Sequence, residues 1–235
     1  MKLLKQKMAN HFPFLGKYKR FIIALIDRMS PTKSSYAQHG EDKFIFNYLA
    51  KYDLRNTMYV DVGANHPTDI SNTYLLYRNG YKGVVIEPNE ELIRLFRFFR
   101  KRDLTFNIGC SDRPDVLAFN ISKTPVISSF SSVKDINLYR SIYVPILPLD
   151  IILKNIDYTF ISFLSIDVEG LNFNVLQGAP DVTRRTLIIC IEFDEEIEKS
   201  SLQNFLGDAF EVIGIFSCNI IFLNRALSSQ LLQNK

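Results

Sequence analysis

A chain of 235 residues with an apolar share of 47% can bury one substantial core, and one catalytic domain is the default expectation. The formal net charge of +3 points to no nucleic-acid partner, but the charge is uneven. Residues 1–35 carry Lys2, Lys5, Lys7, Lys17, Lys19, Arg20, Arg28 and Lys33 against the single acid Asp27, a net +7, which leaves −4 for the body. Cys110, Cys190 and Cys218 are odd in number, have no C-x-x-C spacing and have no His cluster nearby. That argues against a disulfide framework and a zinc site, and fits a reducing, cytoplasmic setting.

Residues 1–34 read as a basic, helical leader, and residues 35–235 as the catalytic domain. The apolar run Phe21-Ile22-Ile23-Ala24-Leu25-Ile26 is far short of the about 20 residues needed to span a bilayer. It is flanked by charges and followed by no small-residue cleavage site, so it does not read as a signal peptide. Pro31 marks a helix boundary, because the residue before proline is pushed toward extended geometry. The leader has two readings: an amphipathic helix lying on the inner face of an anionic membrane, or a helix packed on the body with its lysines solvated. The second is the more ordinary use of a basic helical face.

Beyond Ser34, short β-branched runs alternate with helical stretches, the pattern of βαβ units and a mainly parallel sheet. Strands are predicted at 58–62, 83–87, 105–109, 160–166, 187–193, 211–216 and 220–223, and helices at 41–50, 71–79, 89–102, 171–176 and 201–205. The last two strands, parted by Ser217-Cys218-Asn219, read as an antiparallel hairpin. Between Asp112 and Leu149 the alternation gives way to a Ser-rich stretch centred on 128–132. An α/β three-layer sandwich whose mainly parallel, seven-stranded sheet ends in an antiparallel hairpin is the class I methyltransferase arrangement, whereas Rossmann sheets that bind NAD normally continue parallel.

The first βα turn of such a sheet is where a nucleotide approaches the backbone, and here it reads Asp61-Val62-Gly63-Ala64-Asn65-His66-Pro67. It lacks the G-x-G-x-x-G trio that cradles a pyrophosphate. An acidic turn with one glycine suits S-adenosylmethionine, which has a cationic sulfonium and no phosphate. Asp61 is the acid expected there, with Gly63 and Ala64 allowing the close approach. Glu87 ends the second strand 24 positions after Gly63, near the roughly 20-residue offset at which an acid accepts hydrogen bonds from a ribose diol. Asp112, after the third strand, can accept from the adenine amine or cap the turn before Pro114. The fourth strand ends in Asp167-Val168-Glu169-Gly170, two acids on the active rim of the sheet, where an unpaired buried carboxylate would be costly. Glu169 can also cap the following helix, and Glu192 ends the fifth strand in the same manner.

With these pieces placed, residues 36–224 resemble the FkbM family of methyltransferases. The matching stretches are Tyr36-Ala37-Gln38-His39-Gly40-Glu41-Asp42, the turn Tyr59–Pro67, Ser71-Asn72-Thr73-Tyr74, and Phe163–Gly170 with Val175-Leu176. Where family members often carry an acid two positions past the D-V-E-G glycine, this chain has Asn172. The resemblance implies methyl transfer from S-adenosylmethionine to a hydroxyl, commonly of a sugar, glycan or related small molecule. It adds Gln38, Glu41 and Asn65 to the expected cofactor residues. Such chemistry needs in-line positioning and a general base or a metal. His66 is the first candidate base, because an imidazole titrates near neutrality. Asp167 is the alternative, either as base or, with Glu169, as ligand of a divalent ion. Two acids without a clear third ligand make the metal the less favoured route. His39 could also face the acceptor. The rival readings are an NAD(P)-dependent oxidoreductase, weakened by the missing glycines and by the lack of a Tyr-x-x-x-Lys pair, and a non-catalytic cofactor-binding scaffold recruited by the leader.

Overall fold

The computed structural model describes residues 18–30, 33–52, 54, 57–122, 130, 138–168, 170–193 and 195–233. Seven strands form the main sheet: β1 (Met58–Val62), β2 (Lys82–Ile86), β3 (Leu104–Phe106), β7 (Ile161–Ile166), β8 (Thr186–Glu192), β9 (Phe210–Phe216) and β10 (Asn219–Asn224). Their order is β3-β2-β1-β7-β8-β10-β9, parallel except for β10, which runs antiparallel to both neighbours. The expected sheet and its terminal hairpin are therefore present, with strand ends displaced by a residue or so. The hairpin turn is two residues, Ser217-Cys218, with Ser217 at φ +53° and Asn219 already paired to Phe216.

Both faces of the sheet are covered, which is why its central strands are apolar throughout. On one face Val60, Val62, Leu164 and Ile166 pack with α5 (Leu149–Leu153), α6 (Asn172–Gln177), α7 (Pro180–Arg184) and α8 (Glu196–Leu206). The alternate residues Tyr59, Phe163, Ile188 and Ile221 point to the other face, against α2 (Glu41–Leu49), α3 (Tyr74–Arg78) and α9 (Arg225–Gln233). Val85 meets α4 (Glu90–Phe99) there. The start of α4 is fixed by Asn89, whose side chain accepts from the Glu91 N–H at 3.0 Å, and by two acids in its first turn.

The expectation of one continuous third strand through Gly109 is corrected: the chain leaves the main sheet at Phe106 and enters a second sheet at β4 (Gly109–Cys110). There β4 pairs with β6 (Leu138–Leu147), which pairs antiparallel with β5 (Asp115–Ser122). Phe119, Ile121 and Val144 form its inner face together with Phe130. Of the Ser-rich segment between these strands, only Phe130 lies within the described residues.

Residues 1–17 lie outside the described part of the leader, and Lys19–Met29 form helix α1. It rests on the body through Ala24 and the buried Asp27, whose carboxylate accepts from Thr68 Oγ1 at 3.1 Å and pairs with Lys33 Nζ at 3.3 Å. Phe21 stacks obliquely between Phe98 and Phe99, at centroid distances of 5.4 and 5.2 Å. Among the described residues no helix is long and apolar enough to cross a membrane.

Candidate active site

The carboxyl ends of β1, β2 and β7 converge on the turn after β1. Gly63 N–H donates to Ile86 O at 3.0 Å, and Asp167 N–H to Val62 O at 3.0 Å, so the turn is clasped from both sides. Gly63 sits at φ +75°, and a Cβ added to it would lie 1.8 Å from the Asp167 carbonyl oxygen. The glycine is thus demanded by the backbone of the neighbouring strand end, and not solely by the approach of a nucleotide as the sequence reading held.

Beside this turn opens a cleft of about 950 Å³, open solvent at its mouth included. The turn residues Asp61 to Asn65 form its floor, with Glu87 and Pro88 from the end of β2 and Ser165, Asp167 and Val168 from the end of β7. Ile108, Cys110, Phe119 and Phe130 make an apolar wall, the two rings 4.8 Å apart. Gln38, Asn72 and Glu192 complete the rim, where Asn72 Nδ2 donates to Ser165 Oγ at 3.2 Å. Four carboxylates, Asp61, Glu87, Asp167 and Glu192, line the cleft, and among the described residues no Lys or Arg does.

Glu87 is nearly sealed from solvent. Its two oxygens accept from the Asn65 and Asn89 backbone N–H groups, each at 2.8 Å, tying together the loops that follow β1 and β2. Burial outweighs these hydrogen bonds and pushes its carboxyl up to about 7. Asn65, at φ +48°, turns its side chain inward, and its Oδ1 is buried with no hydrogen-bond partner. Asn89 Nδ2 is likewise buried and unpartnered. Of the two only Asn65 lines the cleft, and an orphaned acceptor beside a carboxylate there fits a ligand that donates hydrogen bonds.

Asp61 is held from beneath. Its carboxylate accepts from Thr73 Oγ1, and that hydroxyl in turn accepts from the fully buried Arg100 at 2.9 Å. Arg100 also reaches Tyr59 Oη at 2.7 Å and Asp103 at 2.7 Å, and Tyr59 Oη donates to Asp103. Period-two alternation puts Tyr59 and Asp61 on the same face of β1, where this network lies. Burial raises the Asp61 carboxyl, opposed by the Arg100 guanidinium and the Thr73 hydroxyl. Neither Thr73 nor Arg100 stood out as a site residue in the sequence, because nothing in their spacing reveals a contact across 27 positions.

Other expected residues lie elsewhere. His66 is buried but does not line the cleft. Its Nδ1 accepts from the Thr68 and Asp69 N–H groups at 3.3 and 3.1 Å, which leaves the proton on Nε2, and Nε2 donates to Arg20 O at 2.9 Å. With both ring nitrogens engaged, the imidazole joins α1 to the loop and is not disposed to act as base. Glu41 is buried away from the cleft, accepting from His39 N–H at 2.8 Å and from Asn219 Nδ2 at 3.1 Å, with its carboxyl raised by burial. Asp42 beside it anchors the preceding loop through Ser35 Oγ and Tyr36 N–H, each at 2.6 Å. His39 is exposed and off the cleft. Asp112 is also off it: its carboxylate accepts from Ser111 Oγ at 3.0 Å, which lowers its pKa, and from Asn174 Nδ2 at 3.4 Å. Glu169 falls outside the described residues. Among those residues no group of three or more His, Cys, Asp or Glu could hold a metal ion.

Asn172 is buried between two strand ends. Its Oδ1 accepts from Val168 N–H at 2.8 Å and its Nδ2 donates to Glu192 O at 3.0 Å. An aspartate could accept but not donate, so the amide makes a bridge that an acid at this position could not.

The chain shows likeness to solved methyltransferases. The FkbM methyltransferase of Methylobacillus flagellatus KT is 14% identical, aligns over 71% of this chain and 43% of its own, and has a TM-score of 0.49. A precorrin-6y C5,15-methyltransferase from Geobacter metallireducens GS-15 is 12% identical over 83% of this chain and 93% of its own, at 0.40. A TehB-like SAM-dependent methyltransferase from Corynebacterium glutamicum is 10% identical over 96% and 100%, at 0.41. The chain spans less than half the length of the first of these. Among curated protein sequences nothing matches. The assignment rests on the family model described as "Methyltransferase FkbM domain", which matches residues 61–216, about two thirds of the chain and every strand end that lines the cleft. The chain belongs to the FkbM methyltransferase family.

Proposed function

We propose that the cleft binds S-adenosylmethionine and that the protein methylates a hydroxyl of a sugar, glycan or related small molecule. One observation carries the cofactor reading: four carboxylates line the cleft and no basic side chain among the described residues does. That field favours a cationic ligand and repels the pyrophosphate of a dinucleotide. When bound, the cofactor supplies a methyl group activated by its sulfonium charge. Glu87 is placed to accept hydrogen bonds from a vicinal diol, its fixed N–H partners leaving lone pairs on both oxygens. Asn65 Oδ1 offers a further buried acceptor, and Gln38 a polar group at the rim. Asp61, held through Thr73, offers negative charge to the cationic part. Ile108, Phe119 and Phe130 give a flat ring an apolar wall.

Asp167 takes the part of the base. Its backbone is locked to β1, its carboxylate belongs to the cleft, and a carboxylate there can receive the proton of an acceptor hydroxyl as methyl transfer proceeds.

Calorimetry with S-adenosylhomocysteine tests the reading. The parent protein should bind, and Asp61→Ala and Glu87→Ala should each weaken binding by about tenfold or more, the loss of one charge-assisted hydrogen bond. Unchanged affinity in both variants overturns it. Transfer of labelled methyl to surface polysaccharide separates an enzyme from a scaffold that only binds the cofactor.

A further inference from the structure

Among the described residues, helix α1 and its N-cap present an apolar stripe that the body meets only at Phe21. Tyr18, Phe21, Leu25 and Met29 recur at three- and four-residue spacing and are 57, 37, 41 and 73% exposed. At 100° per residue they fall in one sector, which Ile22 and Ile26 extend; Arg28 borders it on one side and Lys19 on the other. Apart from Phe21 at its edge, the helix faces the body through a different sector, that of Arg20, Ala24 and Asp27. Phe98, half exposed on α4 and in ring contact with Phe21, widens the apolar surface beyond the helix itself.

We propose that α1 docks this stripe on an anionic membrane surface, with Lys19 and Arg28 among the phosphates at its margins. Charge complementarity selects that occupant. Residues 1–35 hold eight Lys/Arg against one acid, and that acid, Asp27, is turned inward onto Thr68 and Lys33, so none of its charge opposes the surface. An apolar face bordered by basic side chains is the pattern of a helix lying in the plane of the headgroups, where lysine and arginine stems reach outward to the phosphates. The length of α1 fits lying on a bilayer and not crossing one. Docking would hold the catalytic body through contacts already in place: the Arg20 carbonyl on His66, one residue from the cleft-lining Asn65, and Phe21 on the end of α4.

The test is cosedimentation of the full chain with phosphatidylcholine vesicles, with and without phosphatidylglycerol. Binding should require the anionic lipid and weaken as salt rises. Leu25→Glu with Met29→Glu should reduce it by about tenfold or more, since each substitution removes an inserted apolar side chain. Lys19→Glu with Arg28→Glu should reduce it by roughly fivefold per residue or more. Both pairs are exposed, and an unchanged melting temperature and unchanged S-adenosylhomocysteine affinity show that fold and cleft survive. Equal sedimentation with neutral and anionic vesicles, or equal binding by parent and variants, overturns the proposal. So does a concentration-dependent dimer that the Leu25 and Met29 variant abolishes while vesicle binding stays at background, which would make a second copy the occupant.

Discussion

Glu87 lends itself to a quantitative test, because its charge state changes in the neutral range and its partners are known. Moving a carboxyl from 4.5 to about 7 by burial corresponds to about 3 kcal/mol, at ~1.4 kcal/mol per pH unit. The folded value is the raised one. Below pH 4.5 the group is protonated in the folded and unfolded chain alike, and its contribution to stability is fully present. Between 4.5 and 7 the unfolded chain releases the proton while the folded protein keeps it, so stability falls as pH rises, and above 7 the loss is complete. Glu87→Gln removes this dependence. It also turns an amide donor toward either Asn65 N–H or Asn89 N–H, leaving one buried donor unpaired at a cost of about 1–3 kcal/mol. The variant should therefore be the less stable protein in acid and should gain on the parent by about 3 kcal/mol between pH 4.5 and 8, a gain that brings it level with or above the parent. Urea unfolding of both proteins across that range measures the difference. A stability difference that does not change with pH refutes the reasoning. Cofactor binding should show the complementary trend: hydroxyl donors favour the carboxylate, so parental affinity for S-adenosylhomocysteine should climb as pH approaches 7, and that of the variant should stay low and flat.

Three further outcomes are expected. Gly63→Ala drives a methyl into the Asp167 carbonyl and forces alanine to φ +75°, so it should cost roughly 3 kcal/mol or more by chemical unfolding, and a cost under about 1 kcal/mol would contradict the close approach. Asn172→Asp keeps an acceptor for Val168 N–H but loses the donor to Glu192 O; it should destabilise by about 1–3 kcal/mol, and a neutral result would remove the bridge from the account. Asp167→Asn should lower kcat by about 100-fold or more, while His66→Gln should change it less than about tenfold; the reverse order would return the base to His66.

Much of the fold could be read from period-two and longer apolar runs. In β1, β7 and β8 nearly every residue is buried, so the run itself is the signal, and its ends shift little. The second sheet could not be found that way. Its strands β5 and β6 bury one face only, and β6 contains Pro145, a residue that argues against a strand because it cannot donate to a ladder. The alternation Leu117, Phe119, Ile121 and Ile142, Val144, Ile146 was the available clue. Within the site, the residues at strand ends, Asp61, Gly63, Asn65, Glu87 and Asp167, all reach the cleft, because the topology of an open parallel sheet delivers such positions to one rim. Residues in loops do not follow that rule. His66 is adjacent to Asn65, yet Asn65 in the left-handed region redirects the chain, and the imidazole ends against α1. Glu41 and Asp42 likewise serve the loop and the terminal hairpin, although their motif is conspicuous in the sequence.

The cleft also has an internal logic that separates its residues by role. Asp61 and Glu87 reach it on supports from one side, the Arg100 network and the two backbone N–H groups. Asp167 reaches it from β7, and its position is registered to the cofactor turn by the Val62 hydrogen bond and by the Gly63 contact, while Asn172 fixes the next residue to the end of β8. The turn and the base are therefore directly registered to each other, whereas Glu87 reaches the turn only through the Asn65 N–H, two residues beyond Gly63. A disturbance at Gly63 should then impair cofactor affinity and turnover together, while a disturbance at Glu87 should raise KM for the cofactor and leave kcat at saturation nearly unchanged. Interactions present equally in the bound state and the transition state act on binding alone, and the ribose contact assigned to Glu87 is of that kind. A group that meets changing charge as the methyl moves should alter kcat, and the proposal that Asp167 is the base predicts that its substitution does so.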